Sequence, residues 1–359
     1  MIYNSVNDVK KMMIDITTNC QALCPGCQRT RGGTKEHPVN PTLTTGQNDW
    51  PLGGNMSFDI FKKALPVELI SGDMEHVNFT GNFGEPTFHP QFKEFVQYLY
   101  DNKGPYLVID VSTNGGLHTP EWWVDFAKMH KKFANEYKKQ NWKRNLITFA
   151  IDGIDDETQQ KYRRGVNYDK AMTNARAFID AGGNAEWQFI AFKHNEHQID
   201  EARKLSKELG FKNFGPVFSD RWKESNWVTG ELREMNKMKV DDYYIEKPTL
   251  QEDKYYGSRS VKVYDDEQFN MQKKIVCQVF SNGVHEIYIR ANGYVQPCCM
   301  LGDLDVHESK NLIKDFDLVN LNKTSLEDIL NGEYFKSLDK GIAGGPERLK
   351  NCFYTCGVN

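Results

Sequence analysis

No stretch of this 359-residue chain approaches the ~18 consecutive apolar residues of a membrane-spanning helix. The N-terminal run MIYNSVNDVKK lacks the apolar centre of a secretory signal. A cytoplasmic protein that does not enter a membrane is therefore expected. There is no internal repeat and no low-complexity tract. Neither sign of charge dominates: 45 basic against 49 acidic residues leave −4, which argues against a nucleic-acid or anionic-membrane partner. Cysteine is scarce, with eight residues, and it is clustered rather than spread. In a long chain of this kind, clustered cysteines are more often metal ligands or catalytic groups than disulfide partners.

Three of the eight, Cys20, Cys24 and Cys27, form a C-x3-C-x2-C loop directly after the apolar run Met12-Met13-Ile14-Asp15-Ile16. Thiolates this close can converge on one metal centre, and they are the usual holders of iron–sulfur clusters. Three ligands leave one iron of a [4Fe–4S] cube open, and an open position marks a reactive site rather than a structural one. Zinc, with His37 as fourth ligand, is the alternative.

Up to about residue 218, strand-like runs alternate with helix-period runs. Strands are expected over 11–17, 76–80, 106–112, 146–151, 186–192 and 211–218. Helices are expected over 57–65, 91–101, 120–139, 168–181 and 196–209. Ser57 and Thr119 suit N-caps, and Gly210 suits a helix end. The alternation implies a parallel sheet with right-handed crossovers, whose ligands gather at the C-terminal strand ends. Residues 29–56 form a long non-periodic loop that either covers the site or is a surface excursion. Residues 219–276 read as a linker with some helix.

The strand ends carry the polar groups. After strand two comes FTGNFGEP, where Gly84 permits close backbone approach and the Glu85 carboxylate can accept from an ammonium group. After strand three comes Ser112-Thr113-Asn114-Gly115, and strand four ends in Ala150-Ile151-Asp152-Gly153. Lys161-Tyr162-Arg163-Arg164-Gly165 follows, where a guanidinium fork suits a carboxylate. Strand five offers Gln188 and Lys193. Asn195 suits a helix cap.

Together these segments resemble the radical S-adenosylmethionine (SAM) superfamily, along nearly the whole chain. The resemblance implies a partial (β/α)6 TIM-like barrel of the α/β class. It implies a [4Fe–4S] cluster on Cys20, Cys24 and Cys27 that binds and reductively cleaves SAM. The 5′-deoxyadenosyl radical so formed would abstract a hydrogen from a small-molecule or peptide substrate. A flavodoxin- or ferredoxin-type protein would donate the electron. Gly84 and Glu85 would hold the SAM amino group and Arg164, a better match than Arg163, its carboxylate. Thr113, Asn114, Asp152 and Gln188 would line the cofactor. Relatives often carry an aromatic residue just before the third cysteine, near adenine; here it is Gly26.

The tail holds Cys277, Cys298, Cys299, Cys352 and Cys356. Alternation around residues 285–289, then Asn292-Gly293, predicts a β-hairpin that brings Cys277 towards Cys298. The pattern resembles the SPASM and twitch extensions of the same superfamily. It implies a small hairpin-and-helix domain over 277–359 behind a 1–218 barrel. Cys277, Cys298, Cys352 and Cys356 would hold an auxiliary [4Fe–4S] cluster, with Cys299 spare. Zinc suits four cysteines equally well. An electron carrier or redox sensor without SAM chemistry, and a zinc-stabilised binding protein, are the readings outside this class. No obvious peptide-recognition domain precedes the first strand, which favours a small or short substrate over a peptide-maturase role.

Overall fold

The computed structural model describes residues 3, 5–27, 29–30, 54–134, 145–219, 222–225, 232–234, 236–250, 275–280, 285–299, 301, 312–349, 352 and 356. The centre of the 29–56 loop, with His37, lies outside the described residues.

Six parallel strands follow one another across one sheet: β1 (Lys11–Ile14), β2 (His76–Phe79), β3 (Val108–Thr113), β4 (Ile147–Ala150), β5 (Ala185–Ile190) and β6 (Asn213–Val217). The order is sequential, and among the described residues β6 pairs with β5 alone, so the barrel is open. All six sit where alternation predicts them. In β3, for example, Ile109, Val111 and Thr113 are buried and the residues between are not.

The crossover helices are α1 (Phe58–Ala64), α2 (Val67–Ser71), α3 (Phe92–Lys103), α4 (Pro120–Ala134), α5 (Asp156–Tyr162), α6 (Tyr168–Asp180) and α7 (Ile199–Glu208). In α3, Phe92, Phe95, Val96, Leu99 and Tyr100 form one buried stripe. The Ser57 hydroxyl caps α1 by accepting from Ile60 N. Gly210, at φ +84°, takes the left-handed conformation just past α7. The short α2 and α5 go unpredicted because one or two turns carry too little periodicity. Asn195 does not cap by its side chain; it bonds the carbonyls of Asp152 and Ile190.

The predicted hairpin is present as β11 (Glu286–Ile289) and β12 (Val295–Gln296), turning at Gly293 (φ +88°). It does not stand apart. Strand β11 pairs parallel with β1, Lys11 opposite Glu286 and Ile14 opposite Ile289, and extends the barrel sheet to eight strands. Helices α8 (Leu326–Leu330) and α9 (Glu333–Ile342) follow.

Among the described residues of 219–276 there is no helix. Two antiparallel ribbons occur instead: β7 (Lys223–Ser225) with β8 (Leu232–Glu234), and β9 (Lys237–Val240) with β10 (Tyr243–Glu246). The second docks on the barrel through Tyr243 Oη to the Lys161 carbonyl (2.6 Å) and Lys193 N to the Glu246 carbonyl (3.1 Å).

His130 of α4 is wholly buried against the Phe126 and Phe178 rings, and burial pushes its pKa down to about 4. The unfolded chain binds that proton near pH 6.5, so stability falls as pH drops from 6.5 towards 4 and levels off below. The single-site loss is on the order of 3 kcal/mol in all and about 1 kcal/mol by pH 5.5. Urea midpoints at pH 7.5 and 5.5 check this: His130→Leu flattens the difference.

Candidate active site

A cavity of about 1070 Å³ opens at the C-terminal ends of β1–β6. Ligand pockets run to roughly 300–1,000 Å³, so this cavity is at the upper end of that range. Cys20, Cys24 and Cys27 line one side and act on one another electrostatically. The loop is shaped by its backbone: Cys27 N donates to the Cys24 carbonyl (3.0 Å), and Arg29 donates to the carbonyls of Thr18 and Ala22. Ala22 N (3.3 Å) and the Asn114 amide (3.7 Å) point at the Cys20 sulfur. Burial pushes the Cys24 thiol up to about 11, against the pull of the Arg163 guanidinium beside it. Burial raises the Cys20 thiol too, helped by the Glu85 charge. Loading iron onto these sulfurs must therefore expel protons. Three thiols facing a cavity, with N–H donors aimed at one sulfur, suit a site-open [4Fe–4S] cluster.

Glu85 is 3 % exposed and lines the cavity. Its Oε1 accepts from Thr87 N (3.3 Å), Thr87 Oγ1 (2.8 Å) and Thr113 Oγ1 (2.7 Å), while Oε2 accepts from Asn114 N (2.7 Å). Burial raises its pKa despite these donors, as expected of a carboxylate suited to a cationic partner. Thr113 and Asn114 thus connect Glu85 with the cysteine loop, since Asn114 Oδ1 accepts from Gln21 Nε2 at 2.6 Å. Gly84 has no room for a side chain: a Cβ there would lie 2.1 Å from the Thr17 carbonyl oxygen. Gln188 lines the cavity as well.

Arg164 is placed elsewhere. It pairs with Asp241 of the β9–β10 turn at 3.2 Å and is absent from the cavity lining. The arginine that reaches the cavity is Arg163, whose Nε donates to Asp152 Oδ2 at 2.6 Å and whose guanidinium also hydrogen-bonds the Cys24 sulfur. Asp152 itself is fully buried behind Arg163, with Oδ1 accepting from Ile190 N at 2.7 Å. Lys193 pairs with Glu246 on the surface.

Tyr162 is a lining residue that sequence reasoning passed over. A Cβ at Gly26 would come within 2.9 Å of its hydroxyl, so the tyrosine fills the space next to the third cysteine. The glycine in CPGC was the available signal. Trp222 and residues 247–250 form the far wall, held by the Glu196 carboxylate through Thr249 N (2.7 Å) and Leu250 N (3.0 Å). No periodicity announces them.

In the tail, Cys277 and Cys356 share a hydrogen bond, and Cys277, Cys352 and Cys356 pack against Ile275. Cys298 acts on Cys277 electrostatically. The Cys277 thiol is raised by its bond to Cys356 and by burial. All eight cysteines are free thiols. Among the described residues no three Cys, His, Asp or Glu side chains converge tightly enough for a single metal ion. A cube offers its irons at separate corners, so its thiolates need not converge as a single ion's must.

Comparison with known proteins shows the family. The family model of the radical SAM superfamily matches residues 14–208, and that of an iron–sulfur cluster-binding domain, SPASM, matches residues 277–357. A tungsten-containing aldehyde ferredoxin oxidoreductase cofactor-modifying protein from Pyrococcus furiosus is 22 % identical over 295 residues, 81 % of this chain and 71 % of that protein. Among solved structures, anSMEcpe with bound AdoMet and the Cp18Cys peptide superposes with a TM-score of 0.51 at 14 % identity, covering 97 % of this chain and 88 % of that one. Streptococcus suis SuiB bound to its precursor peptide SuiA gives 0.54 at 13 % identity, covering 97 % and 71 %. With a match over more than half its length and a cavity built for cluster and cofactor, this chain belongs to the radical SAM superfamily.

Proposed function

We propose that this radical SAM enzyme acts on a peptide, with Glu85 holding the SAM ammonium group and Arg163 its carboxylate. The observation that carries the site assignment is convergence: three cysteines, one buried carboxylate and one guanidinium face a single cavity. Bound there, the cluster and SAM would supply hydrogen-abstracting radical chemistry. The chain's own groups bind, orient and exclude water. Glu85 Oε2, with one internal donor, can accept from an ammonium group. Arg163, fixed by Asp152, has its remaining N–H groups for a carboxylate. Tyr162 sets its hydroxyl and ring edge beside Gly26. Cys277, Cys298, Cys352 and Cys356 would hold the auxiliary cluster, with residues 277–359 as its domain and 1–218 as the barrel. A flavodoxin- or ferredoxin-type donor would supply the electron. The peptide reading is supported by the SuiB and anSMEcpe complexes, which share the fold and hold peptides. Of the small-molecule and peptide substrates that the sequence allows, it selects the peptide.

The test is 5′-deoxyadenosine formation by the anaerobically reconstituted enzyme with SAM and a strong reductant, beside Cys24→Ala. Product above the control is expected, and more of it with a peptide substrate. A fully loaded enzyme matching the Cys24→Ala background would sink the site assignment.

A further inference from the structure

Strand β11 lies within the tail that carries the second cysteine group, yet it is the neighbour of β1. Side chains alternate along a strand, so Tyr288 and Arg290 lie on one face. Arg290 reaches the loop that forms the SAM side of the cavity directly, and Tyr288 reaches it through Asp15. Tyr288 Oη donates to Asp15 Oδ2 at 2.5 Å. Asp15 Oδ1 accepts from Thr80 Oγ1 and from Asn82 N, each at 3.0 Å. Thr80 and Asn82 line the cavity and lead into Phe83, Gly84 and Glu85. The Asn82 carbonyl in turn faces the Cys27 thiol at 3.9 Å. The Arg290 guanidinium stands 5.5 Å from the centre of the Phe83 ring.

Asp15 is 1 % exposed and Tyr288 is fully buried. A carboxylate this deep carries a desolvation cost that its donors only offset. The β1–β11 pairing is made by backbone groups and does not need it. Apolar residues of similar volume would fill the same space at no such cost. What the polar junction adds is a fixed direction for Asn82 N and thus for the loop behind it.

We propose that Asp15, Tyr288 and Arg290 are positioning residues through which the cluster-binding tail sets the 80–85 loop and thereby SAM affinity. The proposal rests on the reading of Glu85 as the SAM ammonium acceptor.

The experiment uses the full-length, anaerobically reconstituted enzyme. Iron content, the SAM dissociation constant and the electron paramagnetic resonance signal of the reduced cluster with and without SAM are compared for wild type, Tyr288→Phe, Asp15→Leu and the double variant. Iron content stays at the wild-type level. SAM affinity falls about five- to tenfold in each single variant, the size of one hydrogen bond's net contribution. The double variant is little worse than either single, because the pair acts as a unit. The SAM-induced change in the cluster signal shrinks at fixed SAM and returns at higher SAM. Unchanged affinity and signal, whatever happens to melting temperature, would overturn the proposal and leave the junction merely structural. Should Tyr288→Phe not fold, Arg290→Lys carries the test by the same criterion, keeping charge but losing the planar group over Phe83. Glu85→Gln separates the two readings. If it binds SAM normally while Tyr288→Phe does not, the Glu85 reading fails and the junction acts on SAM through another group of the 80–85 loop. If the pattern is reversed, the junction fails.

Discussion

Asp152→Ala destabilises the folded protein by about 3–5 kcal/mol, the usual result of stripping one partner from a buried ion pair. It also weakens SAM binding at least tenfold. Asp152 has no exposed surface, and both of its oxygens are used, one by Arg163 Nε at 2.6 Å and one by Ile190 N at 2.7 Å. Alanine leaves the Arg163 guanidinium, only 14 % exposed in its side chain, without its counter-charge and Ile190 N without an acceptor. The guanidinium is then no longer held between Cys24 and the cavity. Asp152→Asn keeps the volume and one acceptor oxygen, for Ile190 N, but turns an NH2 donor towards Arg163 Nε, so it loses the ion pair and one hydrogen bond and its stability loss is smaller than alanine's. Urea unfolding reads the first effect and equilibrium dialysis with SAM the second. A destabilised Asp152→Ala variant that binds SAM at wild-type strength would remove Arg163 from the carboxylate role.

This ion pair also marks where the sequence stopped being informative. Strand ends and the cysteine loop were legible because period-two alternation and short spacings are local properties. The position of Glu85 on the cavity follows from the same local logic. The choice between Arg163 and Arg164 does not, because adjacent residues at a helix end point in different directions. Which one turns inward depends on Asp152, eleven residues away on another element, and on Asp241, which draws Arg164 to the β9–β10 turn. The far wall was illegible for a related reason. Residues 247–250 reach the cavity only because the ribbon β9–β10 docks against Lys161 and Lys193. The hairpin at 286–296 was legible as a hairpin, but its partner β1 lies about 270 residues away, and no pattern within the tail names it.

Gly84→Ala reduces 5′-deoxyadenosine formation by about a hundredfold or more, the scale expected of a misplacement near 1 Å at a reacting centre. The cause is steric and local. A Cβ at residue 84 would sit 2.1 Å from the Thr17 carbonyl oxygen and 3.0 Å from that of Asn19. Both obstacles are backbone, so no rotamer change relieves them. The loop must back away from residues 17–19, and that breaks the bond from Glu85 N to the Asn19 carbonyl at 2.8 Å. Glu85 then leaves its Thr113 and Asn114 donors, and Cys20, next to Asn19, loses its support. Gly104→Ala is the matched control. It adds a methyl group at a glycine with φ +62°, ψ −143° and nothing within 4 Å, so it costs about 1–3 kcal/mol through backbone strain without reaching the cavity. Iron content and product are measured for both variants. Gly104→Ala retains its product, whereas Gly84→Ala loses product and binds iron less completely. Equal product from the two would mean that the 17–19 and 81–85 segments can separate without harm, and that the close approach at Gly84 is not what positions Glu85.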